Sequence, residues 1–185
     1  MDFALSNLHK IAVIFFVVTI VLAHFLADSN YKVQTNTISD LGAQGYSKGF
    51  VMQSGLFLFG VMLAVSVLIN GVTILNAPIL LYALCIAVTG VFSTKPFFGN
   101  DSYSVTQANL HSAFAQAAGI LFCTAIAIQI YFEISLKVRL MHFVFLLLVL
   151  GMSVLFGVSK NYGGIFQRIL YAVSFYWLCI YFRMK

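Results

Sequence analysis

The sequence predicts an all-α polytopic membrane protein built as a six-helix transmembrane bundle. Three observations predict it. Of 185 residues, 62% are hydrophobic and 8% charged, where a water-soluble domain carries about a quarter charged. The mean hydropathy is +1.00. Six long apolar runs are separated by short polar connections, and runs such as IAVIFFVVTIVL and FVFLLLVLGMSVLF show none of the alternation that a transmembrane barrel requires. The composition excludes a disordered chain, which needs low hydrophobicity. It also excludes a nucleic-acid binder, because the net charge of +5 is scattered singly along the chain.

The expected spans are residues 8–27, 49–70, 74–94, 105–132, 139–159 and 165–183, each near the roughly 20 residues that cross a bilayer as a helix. They form a single domain over 1–185. The first run has the outline of a secretory signal, with His9 and Lys10 before it and small residues near 23–27, but is read as a true span. An even number of crossings puts both termini on one side. Lys10, Lys137, Arg139, Arg183 and Lys185 fall there; Lys32, Lys48, Lys95, Lys160 and Arg168 fall on the other. The first group crowds very short segments at span ends, where the positive-inside bias acts, so both termini are expected in the cytoplasm. Tyr31, Tyr46, Phe97, Phe98 and Tyr103 are expected to mark the outer interface; Tyr131, Trp177 and Tyr181 mark the inner one. Cys85, Cys123 and Cys179 lie within spans and are expected as free thiols.

Polar residues then single themselves out. In NTISDLGA, Thr37 and Asp40 have capping-box spacing, with Ser39 and Asp40 opening a short helix. Ser104 and Gln107 repeat that spacing ahead of the fourth span, and His111 follows about 10 Å below its start. The sixth span opens GGIFQRIL, which sets Gln167 and Arg168 in its first turns. A charge there either snorkels to the interface or takes an ion pair, with Asp40 or Asp101 as partner. These residues give an expected binding set of Ser39, Asp40, Asp101, His111, Gln167 and Arg168 around an outer-leaflet pocket, floored by His111, for a lipid headgroup or small polar solute. Membrane lipids are the expected partners.

Two alternatives use the same residues. In a membrane-embedded lipid hydrolase or transferase, with or without a metal, His111 serves as general base or zinc ligand with Asp40 or Asp101 orienting it. His24, Asp28 and His111 are the candidate zinc ligands. In a b-type haem electron-transfer protein, His24 and His111 would face His9 and His142 across the membrane, although His9 and His142 are simpler as solvated groups at its edge. Neither cofactor is fixed by spacing.

NTISDLGA after the first span, HSAFA with His111, and GGIFQRIL with Trp177 together resemble the bacterial and archaeal membrane proteins of domain-of-unknown-function family 998. The resemblance covers nearly the whole chain. The ISDLG element is more distantly similar to the eukaryotic Frag1, DRAM and Sfk1 family. The resemblance implies six spans with the ISDLG loop on the non-cytoplasmic side, a family without an assigned activity, and distant relatives associated with lipid handling and autophagy. By matching position it draws attention to Ser39, Asp40, Gly42, His111, Gln167 and Arg168.

Overall fold

A computed structural model describes residues 7–99, 102–159 and 161–184. Among these residues there are six α-helices, one 3-10 turn and no strand: α1 (Leu8–Phe25), the turn Ser39–Gly42, α2 (Gly49–Asn70), α3 (Ala77–Val91), α4 (Val105–Phe132), α5 (Leu136–Val158) and α6 (Gly163–Ile180). Five of the helices are long and apolar enough to cross a membrane, and α3 is a shorter apolar helix. The chain is a multi-pass membrane protein whose bundle is all-helical.

The third span is the main revision. Expected over 74–94, it is helical for only 15 residues, or about 22 Å. Side chains consume the backbone groups on which further turns would depend. At the start, Asn76 Oδ1 accepts from Thr73 N while its amide donates to Gly71 O and Met184 O, shaping 71–76 as a turn. Gly71 has φ +83°, a conformation glycine adopts without a Cβ penalty. Pro78, in the first turn of α3, costs no helical hydrogen bond there. At the far end the carbonyls of Thr89 and Phe92 are taken by His111, and Ser93 O and Thr94 O by Gln44. Smaller shifts move the start of α5 forward from 139 to Leu136, because the Glu133 carboxylate caps Ser135 N and turns the chain. α6 starts at Gly163 and ends at Ile180 rather than spanning 165–183.

Consecutive helices pack on one another and α6 returns to α1, so the six close into a ring. Its interior is aromatic: Phe16 stacks on Phe59 with ring centres 4.8 Å apart, and Phe175 meets both edge-on. The α2–α3 seam is thin. A Cβ at Gly60 would come within 2.5 Å of Ala83 O and Ala87 N, and one at Gly90 within 2.5 Å of Phe57 N, so only glycine lets these backbones approach so closely. The outer faces stay apolar, as lipid contact requires.

Up-and-down connectivity gathers 26–48, the end of α3 and the starts of α4 and α6 at one end, called the loop end. His9, His142, Glu133 and the C-terminal residues meet at the other. The expectation of His9 and His142 as solvated edge groups is corrected: they are 6% and 0% exposed. Trp177 is not an interface aromatic either, for it is fully buried and donates from Nε1 to His142 Nδ1 at 2.9 Å. The three cysteines are free and half-buried.

Candidate functional site

The segment 26–48 is a folded cap rather than a loose connection. Asp28 Oδ1 accepts from Asn30 N at 2.9 Å, and Asn36 Oδ1 accepts from Lys32 N at 2.8 Å, so each closes a local turn. The capping box forms in full: Thr37 N donates to Asp40 Oδ2 at 2.7 Å and Asp40 N to Thr37 Oγ1 at 3.1 Å. Ser39 opens the 3-10 turn, half-buried, while Ile38, Leu41 and Ala43 are buried and seat the cap on the bundle. Burial pushes the Asp40 carboxyl above its usual range, opposed by hydrogen bonds from Thr37 and Asn36 and by the charge of Lys95.

Arg168 bolts this cap to α6. Its Nη1 donates to Val33 O at 2.9 Å, Asn36 O at 3.0 Å and Gly164 O at 2.7 Å; its Nη2 donates to Tyr31 Oη at 2.5 Å and His24 Nε2 at 2.7 Å. The His24 tautomer follows: Nδ1 lies 2.7 Å from Ile20 O, which can only accept, so Nδ1 carries the proton and Nε2 offers its lone pair to the guanidinium. Tyr31 Oη in turn donates a hydrogen bond to Thr37 O at 2.8 Å, and burial pushes the phenol up to about 12. Next to the arginine, Gln167 Oε1 accepts from Ile38 N at 2.6 Å. Gly164 carries no side chain because a Cβ would run into Val33 O and Asn36 O.

This geometry corrects the expected Asp40 pairing and the expected snorkelling of Arg168. It makes no ion pair with Asp40, whose carboxylate is committed to Thr37, and it does not snorkel, because its donors are spent on carbonyls, a phenol and an imidazole. Among the described residues the salt bridge found is Arg183–Glu133, at 3.2 Å, at the terminal end. Asp101, the other expected partner, lies outside the described residues.

On the opposite side the cap is stitched to the α3–α4 connection by two glutamines. The Gln44 amide donates to Ser93 O and Ser104 O and accepts from Ser104 N at 2.8 Å. Gln53 Nε2 donates to Gly42 O at 3.0 Å and Ser93 Oγ at 2.5 Å. Ser104 Oγ caps Gln107 N at 3.3 Å as its spacing suggests, although Gln44 rather than Gln107 satisfies the serine's own N–H. His111, 5% exposed, donates from Nδ1 to Phe92 O at 2.7 Å and lies 3.1 Å from Thr89 O, tying α4 to the end of α3. It makes no hydrogen bond to Asp40. Sequence reasoning missed Tyr31, Asn36, Gln44 and Gln53, and no local signal marked them: most of their partners come from distant turns of the chain.

The zinc and haem expectations fare poorly on donor chemistry. His24, Asp28 and His111 have separate hydrogen-bond partners, and no cluster of three histidine, cysteine or acidic side chains suited to a metal occurs among the described residues. His24 Nε2 spends its lone pair on Arg168. His142 accepts at Nδ1 from an indole that only donates, so its neutral ring carries the proton on Nε2 and offers iron no lone pair.

Ser39, Asp40, His111, Gln167 and Arg168 of the sequence-derived set therefore gather at the loop end. A shallow, open groove lies beside the cap, between α2 and α3, with a volume of about 460 Å³. Gln53, Ser54, Phe57, Leu58, Gly90 and Val91 line it. Its loop end carries Gln53 and Ser54 beside Val91 at the end of α3; one turn further along α2 it is walled by the exposed Phe57 and Leu58.

Neither a curated protein nor a solved structure matches the chain. The model of one family does match, over residues 10–184. With nearly every residue covered, the cap, the Arg168 clamp and all six helices included, the chain belongs to the family described as protein of unknown function DUF998.

Proposed function

We propose that this protein binds a membrane lipid at the loop-end leaflet, with the α2–α3 groove receiving the headgroup and glycerol region and the cap acting as a fixed roof. One observation carries the reading: along α2 the groove changes from Gln53 and Ser54 beside the cap to Phe57 and Leu58 one turn deeper, the polarity order of a lipid across the headgroup–acyl boundary. Arg168 and His111 support the site indirectly, the first by holding the cap and the second by fixing where α3 ends. The binding residues are thus Gln53 and Ser54 rather than the His111 floor. Filling the groove tests this. Ser54→Trp places a large ring in the groove from an exposed position, and lipid retained through mild detergent extraction, counted by native mass spectrometry, should fall severalfold. Equal retention by the variant and the parent would sink the reading.

The same proposal places both termini in the cytoplasm of a bacterial inner membrane and the cap outside, supported by Lys137, Arg139 and Arg183 beside short span ends. In a variant lacking Cys85, Cys123 and Cys179, a cysteine at Ser102 should be labelled from the outside by an impermeant maleimide. Labelling only in inverted vesicles would reverse the orientation.

A further inference from the structure

We infer that His24 makes the cap a pH-sensitive switch: the neutral imidazole completes the Arg168 clamp, and a proton taken up on Nε2 turns that contact into a meeting of two cations and loosens the cap. The inference does not depend on what the groove binds. Both terminal nitrogens of the guanidinium are fully used. Nη1 serves Val33 O, Asn36 O and Gly164 O, while Nη2 serves Tyr31 Oη and, at 2.7 Å, His24 Nε2. The guanidinium carbon also lies 5.8 Å from the centre of the Tyr31 ring, which meets the His24 ring edge-on at 5.6 Å. His24 is pinned from its other side, because Nδ1 donates to Ile20 O at 2.7 Å. The ring therefore has one lone pair to offer, and Arg168 holds it.

An imidazolium has two donors and no acceptor, and an arginine keeps its proton, so the protonated pair has no hydrogen bond left to make. Nη2 is the shared nitrogen. Drawing it away from His24 also draws it off Tyr31, and the planar guanidinium moves as one body, so the carbonyl bonds of Nη1 weaken with it. His24 stands half-buried in the last turn of α1, at the loop end, within reach of solvent protons. The groups around it supply no replacement. Beyond its own helix, the Asp28 carboxylate accepts from Ser29 and Asn30. From the cap, Tyr31 is bonded to Thr37 O, Tyr46 donates to Leu26 O, and the Asp40 carboxylate is held by Thr37 N. Lys32 and Lys48 are exposed cations without an acceptor. α6 presents Arg168 itself, and α2, the other helix packed on α1, carries no titratable side chain. The clamp is therefore complete while His24 is neutral and is lost as the pH falls.

The test is hydrogen exchange of the full chain in phosphatidylcholine nanodiscs at about pH 7.5 and about pH 5, an interval that histidine titration crosses. Labelling times are scaled for the chemical dependence of exchange on pH, and peptides from α2 and α4 serve as reference. Protection across 33–41 in the parent should fall about tenfold on acidification, less than in Arg168→Ala because the carbonyl bonds weaken without losing their donor. His24→Gln offers Arg168 a neutral amide oxygen at either pH and should keep the cap closed at both. His24→Met, with neither a charge nor a strong acceptor, backs it: protection should be lower throughout, again with no response to pH. Asp40 is the competing sensor, because burial holds its carboxyl above the usual range and it too takes up a proton on acidification. Asp40→Asn removes that titration while keeping an oxygen for Thr37 N, and should respond as the parent does. A parent whose cap protection changes by less than about twofold overturns the switch, as does a response kept by either His24 variant. A response abolished by Asp40→Asn overturns it as well and makes the capping-box carboxyl the sensor.

Discussion

Arg168→Ala should release the cap from α6 while leaving the helices in place. The side chain makes three bonds to the cap itself, at Val33 O, Asn36 O and Tyr31 Oη, and all three lose their donor together. Hydrogen bonds to a charged group contribute about 1.5–3 kcal/mol each. The bond to Val33 lies at an exposed position, where water replaces the lost donor, so it is discounted entirely. The two remaining bonds at a reduced value of about 1–1.5 kcal/mol give about 2–3 kcal/mol for opening the cap. One tenfold factor corresponds to about 1.4 kcal/mol, so amide protection should fall roughly 30- to 150-fold. The amides to follow are Thr35 and Asn36, bonded to Lys32 O, Ile38, bonded to Gln167 Oε1, and Ile165, bonded to Gln34 O. Hydrogen exchange read by mass spectrometry in nanodiscs supplies the measurement, with peptides from α2 and α4 as internal reference. Arg168→Lys should fall between, since an ammonium has three donors and no planar fork with which to reach both the carbonyls and His24. Protection across 33–41 within threefold of the parent in Arg168→Ala would refute the clamp, and would mean that Gln44, Gln53 and the buried Ile38 and Leu41 hold the cap unaided.

Two further perturbations probe packing. Gly90→Ala drives a Cβ against Phe57 N and Gln53 O, both backbone atoms, so α2 and α3 must separate; a cost of about 1–3 kcal/mol should appear as a lowered apparent melting temperature in detergent. Gly119→Ala, where nothing lies within 4 Å, should leave the melt unchanged or slightly raised, and equal melts for the two variants would disprove the close seam. His142→Phe removes the acceptor of the indole N–H of Trp177, the chain's single tryptophan, so its emission should shift to the blue. The loss of stability should be small, because the substitution also removes the unpartnered His142 Nε2; an unshifted spectrum would argue against that hydrogen bond.

The sequence by itself determined the class, the helix count and the local caps. Long uncharged runs can satisfy their backbone in lipid only as helices, so the number of helices follows from counting runs. The Thr37–Asp40 box and the Ser104 cap are equally legible, because both partners lie three residues apart and the spacing is the geometry. Placing Arg168 and Gln167 near the start of a span marked them as costly, which was right about where the constraint lies and silent about what meets it. Only the tertiary structure decided that Arg168 is held by His24, Tyr31 and loop carbonyls some 130 residues or more away rather than by an acid. It also decided that α3 stops at Val91, that His9 and His142 turn inward, and that an open groove lies between α2 and α3. The physical reason is common to these cases. Lipid and protein core are both apolar, so the periodicity that reveals the buried face of a helix in water is nearly erased here. A polar residue on such a helix then announces that a partner exists, while the partner's identity depends on which helices become neighbours.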